Sequence, residues 1–288
     1  MPAMTRDEFR FFHPLRVRWA EVDMQRIVFN ANYLMYFDTA IGDYWRALAL
    51  PYVESMELLE GDMYVVKATV EFHASAHADE MIDVALRCTR MGNSSMAFTG
   101  AIFRGEQHLI SAEIVYVFAD PATQTSKPIP AAFRAIIEAY EAGEPLAEVR
   151  VGDWATLGEA ARGLRELVFV QEQAIPLAIE LDEADATAVH AVAYNRLGQV
   201  IATGRLLAPE PGVAKIGRMA VHRFLRGGGW GRGVLDALMA VARERGDREV
   251  VLHAQRTAEG FYRRQGFAVR GEPFTEAGIA HVEMVKPL

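Results

Sequence analysis

Cys88 is the only cysteine of the chain, so neither an intrachain disulfide framework nor a cysteine-rich zinc site can be built, and a reducing compartment is expected. Lysine is nearly as scarce: Lys67, Lys127, Lys215 and Lys286 are the only ones, and arginine supplies almost all positive charge. No apolar run approaches the ~18 residues that a membrane helix needs, and Arg6, Asp7, Glu8 and Arg10 interrupt the apolar positions at the N-terminus. A cytoplasmic protein without a membrane partner is expected. A basic excess is missing too. Residues 1–145 hold 12 Lys+Arg against 20 Asp+Glu, residues 146–288 hold 18 against 18, and the net charge of -8 sits entirely in the first half. That balance argues against a nucleic-acid footprint. The Gly-x-Ser-x-Gly of a serine hydrolase and the Gly-Lys-Ser/Thr of a phosphate-binding Walker loop are both absent.

What is present suffices for two packed cores: 288 residues, 51% hydrophobic and 24% charged. The alternation of Leu15, Val17 and Trp19 predicts a strand over 15–23. Leu34, Phe37, Ile41, Tyr44 and Leu48 predict a helix that Asn30 or Asn32 caps. Strands follow at Tyr64 to Phe72, Met81 to Met91, Ser95 to Arg104 and Gln107 to Phe118, with turns at Gly92-Asn93 and Gly105. A long helix beside an antiparallel sheet is the economical packing. A short helix over 131–140 runs into a linker at Glu141 to Pro145, which predicts domains 1–147 and 148–288. The second half alternates: helix at about 156–169, a hairpin through Asn195 to Gly198, a strand near 214–221, a helix at about 229–245, a strand at 249–253, then helix and strand.

Strand residues Ile216 to Val221 lead into Arg226-Gly227-Gly228-Gly229-Trp230-Gly231 and then an amphipathic helix. Glycines at a strand-to-helix turn let backbone amides approach a pyrophosphate, and the helix start adds partial positive charge. This stretch resembles the GNAT family of N-acetyltransferases, whose pyrophosphate loop reads Arg/Gln-x-x-Gly-x-Gly/Ala; Arg226, Gly229 and Gly231 match it. Val168 to Gln173, Asp182, Asp185, His190 and Ala258 to Phe267 extend the likeness over most of the second half. The resemblance implies a mixed α/β domain that binds acetyl-CoA, with contacts from Met219, Val221, Arg226, Gly227, Gly229, Trp230 and Gly231. It also implies Tyr262 as the general acid that protonates the leaving thiolate. The acceptor is an unidentified amine, and Glu172, Glu276 and His281 are candidates for the base.

In the first half, Asp23 ends the predicted strand and the chain reaches a helix start seven residues later at Asn30. Free amides there can polarise a thioester carbonyl while Asp23 attacks it or activates water. The stretch is similar to hotdog-fold acyl-CoA thioesterases of the 4-hydroxybenzoyl-CoA thioesterase type, on Asp23, Val28 and Tyr33, over about residues 12–140. The resemblance implies an antiparallel sheet wrapped around one long helix. It further implies Asp23 as catalytic carboxylate, the Asn30 amide as oxyanion donor, and a homodimer or tetramer with active sites between subunits. Arg26 departs from the pattern, standing where the family has Gly; it would need a left-handed backbone and could pair with Asp23.

His73 and His77, with Glu71 and Asp79, share a strand face, a spacing that also describes an ordinary polar surface, so no metal is expected. Cys88 alternates with Ile82, Val84 and Leu86 and reads as a buried small hydrophobe. The expected fold is therefore α+β, a hotdog domain followed by a GNAT domain. The expected function is bifunctional: acyl-CoA hydrolysis by the first half and acetyl transfer from acetyl-CoA to an amine by the second. The alternative is an acetyltransferase whose hotdog half is a non-catalytic dimerisation or acyl-CoA-sensing module.

Overall fold

A computed structural model describes residues 3–288. The chain forms two compact units that divide between Leu146 and Ala147. The first contains β1 (Phe11–Arg16), α1 (Asn30–Ala47), α2 (Tyr52–Leu58), β2 (Asp62–Phe72), β3 (Met81–Met91), β4 (Ser95–Arg104), β5 (Gln107–Ala119) and α3 (Ala131–Glu141). Its sheet runs β1-β3-β4-β5-β2, with every pairing antiparallel.

Helix α1 forms because Tyr33, Tyr36, Phe37, Ala40, Ile41, Tyr44 and Trp45 recur at steps of three and one, which puts them on one stripe, and all are buried. Leu34 belongs to the opposite face and is exposed. The sheet admits the helix through Gly100 of β4: a Cβ there would lie 2.5 Å from the Phe37 ring. Tyr44 stacks edge-on against Phe98, Trp45 and Tyr140, so α1, β4 and α3 close over one aromatic core. Below it, Glu141 Oε1 accepts from Tyr44 Oη at 2.7 Å and from the Cys88 amide at 2.9 Å. Cys88 itself is half-buried, next to a register shift between Cys88 and Arg90, unlike the fully buried Ile82, Val84 and Leu86.

Two expectations need correction here. The first strand is Phe11–Arg16, and Trp19–Glu21 is a 3-10 turn in which Trp19 is 86% exposed. The cause is Glu21, whose carboxylate turns back to accept the Arg18 amide at 2.7 Å and the Tyr36 hydroxyl at 2.8 Å. Nor does either asparagine cap α1: its N-cap is Phe29 without a side-chain bond, while Asn32 Nδ2 donates to the Glu21 carbonyl at 2.8 Å.

The second unit contains β6 (Ala147–Gly152), α4 (Trp154–Arg165), a π-helical stretch Glu166–Glu172, α5 (Leu177–Glu180), β7 (Val189–Asn195), β8 (Val200–Glu210) and β9 (Val213–Val221). Then come α6 (Trp230–Arg245), β10 (Glu249–Gln255), α7 (Glu259–Arg264), β11 (Ala268–Glu276) and β12 (Ile279–Pro287). The sheet order is β11-β12-β10-β9-β8-β7-β6, and only β9 and β10, joined through α6, are parallel. Helix α4 starts two residues before its predicted position because Asp153 caps it, accepting from the Thr156 amide at 2.9 Å. Helix α6 buries Val234, Leu235, Leu238, Met239 and Ala242 and stops at Gly246, whose φ is 84°.

Candidate functional sites

In the first unit a cavity of about 230 Å³ is lined by Asp23, Asn30, Tyr33 and Phe72 among others. Asp23 is held in a tight turn: its amide donates to the Ile27 carbonyl at 2.9 Å, and its Oδ1 accepts the Gln25 amide at 2.7 Å. Val22 and Val28 bridge across that turn. Arg26 has the left-handed φ of 65° that the Gly position demands, but forms no ion pair with Asp23 among the described residues. The Glu21 carbonyl accepts both the Phe29 amide at 2.9 Å and Asn32 Nδ2, which ties the start of α1 to the Asp23 turn. No side chain caps α1; its Asn32 amide donates to the Phe29 carbonyl at 2.9 Å, and Asn30, the first residue of the helix, lines the cavity. Tyr33 accepts the Ala76 amide at 3.0 Å on its hydroxyl, and burial raises the phenol pKa.

Glu21 was not among the predicted site residues. Burial pushes its carboxyl up, but bonds from Arg18 and Tyr36 outweigh that and leave its pKa below the usual range. An acid two residues before Asp23 was the available signal; its role depends on Tyr36, fifteen residues away and invisible to strand periodicity.

In the second unit β9 and β10 pair only from Val213–Glu249 to Ile216–Leu252, although β9 continues to Val221 and β10 to Gln255. The two strands splay there. Register with β8 also shifts between Thr203 and Arg205, opposite Arg218, which takes φ 52° in a bulge. Main-chain groups along the inner edge of β9 are left without a strand partner. A cavity of about 500 Å³ opens at the splay, lined by Gly217, Met219, His253, Tyr262, Glu276 and His281 among others. Tyr262 is buried between Phe261 and Phe267 at ring distances of 4.9 and 5.8 Å, and burial raises its phenol pKa well above the usual value, so it is protonated at neutral pH.

Val221 at the end of β9, Arg226, Gly227 and Gly229 in the turn after it, and Trp230 and Gly231 in the first turn of α6 do not line that cavity. Gly227 and Gly229 have φ of 86° and 87°, the second as N-cap of α6. Trp230 Nε1 is buried there without an acceptor, a donor left for a ligand at the loop. Arg226 is engaged by both oxygens of Glu172, at 2.6 and 2.7 Å, and that bond holds Glu172 below the usual carboxylate range. Glu172 is thus an ion-pair partner, not a free base. Glu276 and His281 do reach the cavity. His253, absent from the predicted set, joins them: its Nδ1 lies 2.8 Å from Glu276 Oε2. A histidine closing the apolar run Val250-Val251-Leu252 was the available signal.

Part of the cavity wall, Glu180, Asp182, Arg205 and Arg218, belongs to a charge network. Arg165, 1% exposed, bonds Asp185 at 2.8 and 3.0 Å and also Glu180. Arg205 bridges Asp185 and Asp182 at 2.8 and 2.6 Å, and Arg218 reaches Asp182 at 3.0 Å. Among the described residues no group of three His, Cys, Asp or Glu is placed to hold a metal ion, and no helix is long and apolar enough to cross a membrane.

Residues 166–288 match the acetyltransferase (GNAT) domain, and residues 25–111 match the thioesterase superfamily. The chain is 35% identical to the uncharacterised N-acetyltransferase YjcF of Bacillus subtilis, over 43% of its own length and 87% of that protein. It is 29% identical to the acyl-CoA thioester hydrolase YbgC of Escherichia coli, over 42% of its own length and 90% of that protein. A 1,4-dihydroxy-2-naphthoyl-CoA thioesterase structure from Synechocystis is similar at 19% identity and a TM-score of 0.42, covering 47% of this chain and 98% of that one.

Proposed function

We propose that this chain, which belongs to the GNAT acetyltransferase family through its second unit and carries a thioesterase-superfamily domain in its first, is a bifunctional CoA-thioester enzyme. The observation that supports the reading is that each unit has a cavity lined by residues of the expected kind: Asp23 and Asn30 in the first, Met219 and Tyr262 in the second.

In hydrolysis, Asp23 activates a water whose oxygen bonds to the acyl carbon, while the Asn30 amide stabilises the oxyanion, a donor typically worth ~3 kcal/mol in the transition state. The carbon–sulfur bond then breaks, the proton that Asp23 took from the water passes to the leaving thiolate, and CoA leaves as thiol with the acyl group released as the carboxylic acid. Acetyl transfer uses different parts. Main-chain groups from Gly217 to Val221, Met219 and Val221 among them, hold the pantetheine arm as a missing strand would, and Arg226, Gly227, Gly229, Trp230 and Gly231 receive the pyrophosphate. The amine nitrogen bonds to the acetyl carbon, the carbon–sulfur bond breaks, and the Tyr262 phenol gives its proton to the thiolate. No metal is needed in either sequence.

Assembly through the first unit completes this reading. Strand β2 is the last of its sheet and exposes Val65, Val66 and Phe72, and Phe72 also lines the Asp23 cavity. Pairing of two β2 edges in a homodimer or tetramer would cover them and place the hydrolytic site at the subunit boundary. The lone Cys88 suits a reducing cytoplasm. Arg26 favours a second reading, in which the first unit binds acyl-CoA and dimerises without turnover, because three residues beyond Asp23 it takes a left-handed backbone at the position where the thioesterase pattern has Gly.

Thiol release from a panel of acyl-CoAs, with and without amines, separates these. Asp23→Asn is expected to lower amine-independent release ~100-fold or more and leave acetyl transfer intact, whereas Tyr262→Phe lowers only acetyl transfer, by ~100-fold. A folded wild type that releases thiol from no acyl-CoA without an amine leaves the second reading standing.

A further inference from the structure

We infer that His253 is the general base of the acetyl transfer, positioned by Glu276 and backed by Glu283. The assignment rests on the acetyltransferase reading above. An amine acceptor is mostly protonated near neutral pH, where an ammonium of the lysine type has a pKa of ~10, so its proton must leave before or during attack.

His253 stands where it can take that proton. Leu252 is the last residue of β10 to pair with β9, and His253 is the first beyond the pairing, at the mouth of the splay that receives the thioester. It lines the same cavity as Met219 and Tyr262, so base, acyl carbon and acid share one space. Its Nδ1 faces Glu276 Oε2 at 2.8 Å, and an ionised carboxylate only accepts, so Nδ1 carries the hydrogen and Nε2 presents the lone pair. Nε2 is 3.9 Å from Glu283 Oε2, too far for a hydrogen bond but close enough to stabilise the imidazolium once it forms. Arg270 holds the other Glu283 oxygen at 2.6 Å.

The remaining candidates are less suited. Glu172 is spent on Arg226 outside the cavity. For Glu276, burial raises the pKa, but the His253 bond and the nearby His281 and Lys215 outweigh it and leave the carboxylate a weak base. His281 donates its Nδ1 hydrogen to the Ile279 carbonyl at 2.8 Å and stacks on Phe274 without a carboxylate at ion-pair distance. The charged groups in contact with His253 are Glu276 on β11 and Glu283 on β12, and Glu180, Asp182, Arg205, Lys215, Arg218, Tyr262 and His281 line the same cavity.

The test is acetyl transfer to an amine panel by the full chain across pH 5–9, with acetyl-CoA affinity measured separately by calorimetry. His253→Gln should lower kcat by ~100-fold with acetyl-CoA affinity unchanged, and abolish the acid limb of kcat/KM that a general base produces. Added imidazole should restore part of the activity of His253→Ala. Glu276→Gln should keep the limb but move it to lower pH, since the imidazolium loses its carboxylate; a merely structural role for Glu276 would leave the limb in place. Survival of the limb in His253→Gln, or its loss only in His281→Gln, overturns the assignment and spares the acetyltransferase. A wild type that binds no acetyl-CoA, or binds it and acetylates no amine, overturns both. Nitrogen NMR of the His253 ring gives an activity-free readout: hydrogen on Nε2 in place of Nδ1 in the neutral protein refutes the geometry.

Discussion

The two units of this chain bury different kinds of chemistry. The first fills its interior with rings, Tyr33, Tyr36, Phe37, Tyr44, Trp45, Phe98 and Phe133, and buries few polar groups: Glu21, Ser55 and Ser111. Its excess negative charge therefore lies on the surface, where water solvates it. The second unit has balanced charge and puts much of it inside, with Arg165, Glu180, Asp185 and Arg205 all nearly inaccessible. Net charge per half, readable from composition, thus says little about where charge resides. An interior of rings tolerates no added volume, whereas an interior of ion pairs tolerates no missing partner.

That contrast can be broken most forcefully at Asp185. Replacing it by Asn leaves the Arg165 and Arg205 guanidinium groups facing each other without their shared carboxylate, and the expected loss is about 3–5 kcal/mol, confined to the second unit. Calorimetry, with peptide-level hydrogen exchange to assign each transition, would show one melting event fall and the other stay. A fall in both would mean that the units do not melt independently.

The same residue sets an acid limit. Burial pushes the Asp185 carboxyl up, but hydrogen bonds from Arg165 and Arg205 outweigh it, so its folded pKa is below the usual range. A lowered folded pKa contributes stability that is present above the unfolded value of ~4 and is lost as pH falls through the folded one. Acid unfolding of the second unit should therefore begin below pH ~4 and flatten in Asp185→Asn; an unchanged slope would count against the pairing.

Volume is the corresponding weakness of the first unit. Gly100→Ala forces a methyl against the Phe37 ring at 2.5 Å and should cost about 1–3 kcal/mol. Gly204 sharpens the comparison, because its Cβ would meet Met219 Sδ at 2.5 Å, the far end of a flexible side chain that lines the larger cavity. Gly204→Ala should cost less stability and instead weaken acetyl-CoA binding several-fold. The smallest effect is expected at Arg26→Gly: relief of left-handed strain worth roughly 1–2 kcal/mol, partly offset by greater freedom of the unfolded chain, leaves a net gain of at most ~1 kcal/mol. A rise in thiol release with it would identify Arg26 as the brake on Asp23.

Local features were legible in the sequence; features made by contact across the fold were not. Strands β3 and β4 have the bounds their alternation and turns predict, and the Arg226 to Gly231 loop occurs between strand and helix as read. The first strand was misplaced because the Leu15, Val17, Trp19 alternation continues past the point where Glu21 bends the chain toward Tyr36. Asp23, Asn30 and Tyr33, which line one cavity, could be read together because one loop and one helix turn carry them. The His253–Glu276 pair at the larger cavity was not legible, because Glu276 reaches His253 only after β11 and β12 fold back beside β10, a juxtaposition no short window contains.

Cys88 has a use in the laboratory that follows from its place beside Glu141. Burial first, and then the neighbouring carboxylate, push its thiol pKa up to about 12, so at neutral pH almost none of it is the reactive thiolate. Since the chain has no other cysteine, a single added label counts one event, an opening of β3 within the first unit. The rate of that labelling is a stopwatch for one unit alone, indifferent to whatever the other is doing.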